Sequence, residues 1–174
     1  DDALFTLLSH DLDPFNRWEA AQKLALRRIL NAVHGNGHME LDHRFIEAMR
    51  SVLRNPELDA AFKELVLTLP SEAYVAEQLD VVDPQRIHTA RETMKAQLAH
   101  ALHEDWAWAF EHHQDNSRYS PDPISAGRRA LCNLALSMLA LDGALRHNPI
   151  WTGRAYQRFK DATNMTDRLG ALQA

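Results

Sequence analysis

The chain has 174 residues, 45% of them apolar and 25% charged, with 19 Lys plus Arg against 24 Asp plus Glu for a formal charge of −5. This suits one globular domain, or part of a larger one, and excludes extended disorder, because there is enough apolar surface to offset chain ordering. The acidic balance excludes a phosphate-tracking nucleic-acid binder, and a single cysteine, Cys132, excludes an internal disulfide framework and suits a reducing compartment.

The opening Asp1-Asp2-Ala3-Leu4 has neither the basic start nor the apolar stretch of a signal peptide, and it lacks an initiator Met, which reads as a piece of a longer chain. The most apolar run, Ala130 to Leu141, is shorter than the ~20 residues that span a bilayer, so no membrane segment is expected.

Five of the seven prolines follow Asp or Asn, at 13–14, 55–56, 83–84, 122–123 and 148–149. An Asp or Asn side chain accepts from the orphan N–H groups of a helix start, and proline tolerates the first helical position. Each pair therefore predicts a helix start. After Pro14, Trp18, Ala21, Ala25, Ile29 and Val33 recur at three- and four-residue steps until Gly35 and Gly37. Leu41, Phe45, Ile46, Met49, Val52 and Leu53 form a second stripe. Leu58, Ala61, Phe62, Leu65, Val66 and Leu69 form a third, closed by Pro70. A short helix follows over 71–79.

Beyond Pro84, the spacing of Ile87, Ala90, Met94, Leu98, Ala101, Leu102, Trp106 and Ala109 predicts one long helix. The polar stretch 111–121 reads as the one mobile loop. Leu131, Leu134, Met138, Leu141 and Leu145 form a seven-residue seam in the next helix, which is apolar on nearly all sides and expected at the centre. A full helix over 154–161 follows, and Thr166 caps one more that the chain end cuts. No segment alternates with a two-residue period. The expected fold is all-α, an irregular antiparallel helical bundle or α-solenoid segment over residues 1–174.

Chemical motifs are sparse. The only His-Glu pair, His103-Glu104, has Ala107 where H-E-x-x-H needs its second histidine. His34 and His38 have the right separation, but the glycines between them break the helix. His100 and His103 are one turn apart and lack a third ligand at helical spacing, so they read as solvated. Cys132 sits among leucines as a core thiol. Trp106, Trp108 and Phe110 read as core or interface. Arg27-Arg28 and Arg128-Arg129 read as solvated faces.

Five blocks carry a family likeness: Asp13-Pro14-Phe15-Asn16-Arg17-Trp18-Glu19-Ala20; Leu67-Thr68-Leu69-Pro70-Ser71-Glu72; Asp83-Pro84 opening a long helix; Arg129-Ala130-Leu131-Cys132-Asn133; and Asn164-Met165-Thr166-Asp167. In order and spacing they resemble the first part of the C-terminal helical domain of bacterial aminopeptidase N. The resemblance implies a zinc peptidase that removes N-terminal residues from peptides. One zinc would sit in a separate catalytic domain, whose H-E-x-x-H and G-A-M-E-N segments this chain does not contain. The segment itself would hold no catalytic residue, cofactor or metal. It would cap the catalytic domain, restrict peptide access to the chamber, and work in the cytoplasm with the parent's remaining domains as partners.

In that setting Asp13 starts a helix, Phe15 and Trp18 share a face one turn apart, and Arg17 projects beside them. These four residues are the expected interdomain docking patch, the alternative being that both aromatics enter the segment's own core. The rival function is a free-standing α-solenoid that binds a partner protein.

Overall fold

The computed structural model describes residues 1–35, 39–115 and 118–174. Ten helices run in order: α1 Asp2–His10, α2 Pro14–His34, α3 His43–Arg54, α4 Ala60–Leu67, α5 Glu72–Ala76, α6 Pro84–Ala101, α7 His103–His112, α8 Pro123–Leu145, α9 Ile150–Asp161 and α10 Met165–Gln173. No strand occurs among the described residues, and the all-α expectation holds.

Local chemistry places most of the starts. Asp13, Asp42, Asp59, Ser71, Asp83, Asp122 and Asn164 each accept from a backbone N–H in the first turn that follows. Pro14, Pro84 and Pro123 occupy the first helical position. Two of the five Asp/Asn-Pro signals depart from this rule. At Asn55-Pro56, Asn55 closes α3 and its Oδ1 accepts from the Glu57 N–H at 2.8 Å, so α4 waits for Asp59. The asparagine is spent on a turn, and the next aspartate does the capping. At Asn148-Pro149 a helix does start, but Pro149 is the cap and not the first helical residue: α9 begins at Ile150, with Asn148 Oδ1 accepting from the Ile150 N–H at 3.1 Å, and the helix expected over 154–161 is its later part.

The expected long helix from Pro84 breaks at Leu102, which separates α6 from α7. No Gly or Pro stands there, so the cause is tertiary. The Trp106 Nε1–H donates to Leu98 O at 3.2 Å, and Asp105 turns towards Arg50 and Arg54 of α3. The sequence reading also assigned no element before Pro14, where α1 packs Phe5 and Leu8 into the core. Glu111 and His112, expected in the loop, finish α7. Gly35 closes α2, while Gly37 and His38 lie outside the described residues.

The core is continuous, and α8 is its centre: it packs against α4, α6, α7, α9 and α10. Leu131, Cys132, Ala135, Leu136, Met138, Leu139 and Ala140 are buried. The seven-residue seam is partly misplaced, because Leu134 and Leu141 are half-buried and Leu145 is exposed. A narrow 3.5-residue seam suits a helix with one partner, whereas α8 has several and follows the 3.6-residue period on two sides. At its start α8 passes very close to α4: a Cβ on Gly127 would lie 2.8 Å from the Ala61 backbone nitrogen.

Candidate functional site

The four expected docking residues lie at the start of α2. Asp13 Oδ1 accepts from the Phe15 N–H at 2.8 Å, as a cap should. Phe15 is 61% exposed and meets the half-buried Trp18 at 5.7 Å between ring centroids. Leu12, 98% exposed, stands just before them. Trp18 packs on the core, so the face is divided: one aromatic goes inward and one outward. Arg17 turns back into the segment. Its Nε donates to Leu8 O at 2.9 Å, and its guanidinium lies 5.8 Å from the Phe62 ring centroid. The structure therefore ties Arg17 to α1 and α4.

His100 and His103 converge on a residue that the sequence reading did not single out. Asp142, 1% exposed in α8, has Oδ1 at 3.1 Å from His100 Nδ1 and Oδ2 at 2.7 Å from His103 Nδ1. Arg146 Nε donates to Oδ1 at 3.0 Å. Burial alone would push the Asp142 carboxyl up, but the His100 and Arg146 hydrogen bonds, the Arg146 charge and the His103 contact outweigh it and hold the carboxyl below its ordinary value. His100 Nδ1 lies within hydrogen-bond geometry of the carboxylate, whereas the closer His103 contact is misaligned and leaves His103 Nδ1 and Asp142 Oδ2 enclosed without a hydrogen bond. No group of three or more His, Cys, Asp or Glu that could hold a metal ion occurs among the described residues. Cys132 is buried, and burial pushes its thiol up to about 11, which is unsuited to a nucleophile.

A cleft of about 870 Å³ opens where the end of α7, the connection into α8, α9 and the start of α10 meet. Much of its charge is committed internally. Arg154 Nη1 donates to Glu111 Oε1 at 2.5 Å. Arg158 Nη2 donates to Asp167 Oδ1 at 2.9 Å, and Asp167 also accepts from Asn164 Nδ2 at 2.9 Å. Arg129 departs from the expected solvated face. It is 5% exposed, donates from Nη2 to Ser120 O at 2.7 Å and stacks 4.7 Å from the Tyr119 ring centroid. A helical wheel shows why: Arg129, Cys132, Leu136 and Leu139 follow steps of three and four on a buried side of α8. Arg28 is also drawn in, against Asp42 and over the Phe45 ring at 4.6 Å.

Comparison with known proteins places this geometry. The match to the family described as "Domain of unknown function (DUF3458_C) ARM repeats" runs over residues 1–174. A protein named Aminopeptidase N from Caulobacter vibrioides is 34% identical over 168 residues, covering 97% of this chain and 19% of its own length. One of the same name from Escherichia coli is 34% identical over 177 residues, covering 100% of this chain and 20% of its own. The chain thus spans about one-fifth of these relatives. Among solved structures, Legionella pneumophila aminopeptidase A in complex with aspartic acid superposes with a TM-score of 0.82 at 24% identity, over 97% of this chain and 20% of that one, which shows a shared fold. The chain belongs to the DUF3458_C ARM-repeat family, and along its whole length it is similar to part of the bacterial proteins named Aminopeptidase N.

Proposed function

We propose that this chain is a non-catalytic part of the C-terminal helical domain of a zinc aminopeptidase that removes N-terminal residues from peptides. The supporting observation is similarity over 97–100% of the chain to only about one-fifth of each relative. The zinc belongs to the parent's catalytic domain, a reading that rests on the likeness to proteins named Aminopeptidase N. In the parent the segment caps that domain, walls the chamber and restricts which peptides enter. Its partners are the remaining domains, and the setting is cytoplasmic. No helix among the described residues is long and apolar enough to cross a membrane.

Docking onto the preceding domains falls to Asp13, Phe15, Arg17 and Trp18. Exposed Phe15, with Leu12 beside it, supplies the contact. Asp13 and Arg17 hold the helix start, and Trp18 anchors the face to the core. Two measurements test the reading. The isolated chain should release no amino acid from aminoacyl-anilides, with or without zinc; activity that disappears on His100→Ala or His103→Ala would overturn the non-catalytic assignment. In the full-length enzyme, Phe15→Ser should raise turnover of long peptides relative to an aminoacyl-anilide while leaving the isolated chain's stability nearly unchanged. An unchanged ratio would overturn the capping role.

A further inference from the structure

Lys63 stands apart from the other lysines. Lys23, Lys95 and Lys160 are exposed or half-buried, whereas Lys63 of α4 is 3% exposed, with its Nζ 5.7 Å from the Trp108 ring centroid. It makes no hydrogen bond or ion pair with any described residue. Its tip still meets solvent: among the described residues the enclosed side-chain nitrogens without a hydrogen bond are His103 Nδ1, Arg129 Nε and Arg158 Nε, and Lys63 Nζ is not of that set. Asp59, one turn back, attracts the ammonium, but that carboxylate accepts from the Phe62 N–H at 2.8 Å as the cap of α4. Burial prevails and pushes the ammonium below its ordinary value. Cations gather on the same side. Arg54 of α3 lies 4.4 Å from the Trp108 ring centroid and pairs with Asp105. His113 of α7 stands 5.8 Å from that ring, and Arg128 of α8 donates to the carbonyls of His112 and Gln114. Burial first, then the charges of Lys63, Arg128 and His112, hold His113 below its ordinary value.

We propose that Lys63 is a carbamylation site, whose Nζ binds carbon dioxide reversibly as a lysine carbamate. The Nζ lone pair attacks the carbon of CO2. A C–N bond forms, one C=O electron pair moves onto oxygen, and Nζ releases a proton to water, with no change of oxidation state. The step needs an unprotonated amine, and an enclosed lysine without an ion-paired carboxylate reaches that form more readily than an exposed one. It also needs a reagent that passes a narrow opening. Carbon dioxide is small, linear and uncharged, whereas an aromatic aldehyde would need room that a side chain 3% exposed does not leave. The product exchanges an unpartnered cation for an anion on the side where Arg54 and Arg128 lie, and their guanidinium charges favour it. The inference concerns the chemistry of one side chain and does not depend on the peptidase reading.

The test equilibrates the 174-residue chain, isotope-labelled at the lysine Nζ nitrogens, with carbon-labelled CO2 and bicarbonate in mildly alkaline solution, read by carbon NMR. A carbamate carbon split by a lysine nitrogen should appear and saturate as dissolved CO2 rises. The α-amino group of Asp1 carries no label, so a carbamate there shows no such splitting. Lys63→Arg should remove the split signal. Trapping with a trialkyloxonium salt, followed by peptide mapping of the unaltered chain, should place the adduct on Lys63 severalfold above Lys23, Lys95 and Lys160. That mapping decides by itself should the variant fail to fold. Equal yields on the four lysines, a split signal that survives Lys63→Arg, or no split signal at any CO2 level would overturn the proposal.

Discussion

His103 Nδ1 of α7 stands 2.7 Å from Oδ2 of Asp142 in α8, and His100 of α6 reaches the other oxygen of the same carboxylate. One buried acid thus bridges three helices at the point where α6 gives way to α7. Removing it takes away the carboxylate that accepts from His100 and Arg146, while the partners left behind stay open to solvent. Asp142→Ala should destabilise the chain by about 1–3 kcal/mol, measured by urea unfolding.

The same carboxylate sets an acid limit. Its folded value is depressed, so its contribution is present above the ordinary aspartate value of 3.8 and is lost as pH falls through the lower folded value. Stability should therefore decline as pH drops below about 4, and Asp142→Asn should flatten that decline. An equally steep acid profile in both proteins would assign the loss to other groups.

Burial along α8 separates its leucines into two classes. Leu136 is fully enclosed and Leu145 is 58% exposed. Leu136→Ala should cost about 2–5 kcal/mol, while Leu145→Ala should stay within about 0.5 kcal/mol. Equal midpoints in urea would contradict this packing.

The start of α8 tolerates no side chain at position 127. A Cβ there would meet the Ala61 nitrogen at 2.8 Å and the Ala61 Cβ at 2.9 Å, and backbone cannot swing aside as a long side chain would. Gly127→Ala should lower stability by about 1–3 kcal/mol despite alanine's higher helix propensity, and Gly127→Val by more. A gain in melting temperature would show that α4 and α8 can part cheaply.

His147, just past the end of α8, has φ of 56° in the left-handed region. An L side chain carries a cost there that glycine avoids. His147→Gly should stabilise the chain by about 1 kcal/mol in thermal unfolding, and His147→Val should destabilise it.

These contrasts show what a linear reading reaches. Asp13, Asp83 and Asp122 act on N–H groups two or three residues away, so their helix starts are legible from neighbours alone. The break at Leu102 is not, because it depends on Trp106 reaching Leu98 while Asp105 reaches Arg50 and Arg54, residues some fifty positions earlier. Arg129 and Asp142 were missed for a related reason. Each continues a buried stripe, Arg129 with Cys132 and Leu136, Asp142 with Ala135 and Met138, so the wheel marked both positions. Asp142 was not singled out at all, and reading Arg129 as solvated came from residue type, which predicts exposure only when no distant partner waits inside. The docking residues were half legible: the cap and aromatic pair follow from spacing, whereas Arg17 turning to Leu8 depends on α1.

The placement of α8 also governs when the molecule can become itself. Five helices lean on it, yet it occupies residues 123–145, so α4 and α6 emerge from a ribosome well before the surface that shelters them. Until then Val66, Met94 and Leu98 have only part of their eventual cover. A nascent chain that stops short of Asp122 therefore lacks the surface against which α4, α6 and α7 pack, and apolar surface left open in this way is what makes incomplete chains prone to association.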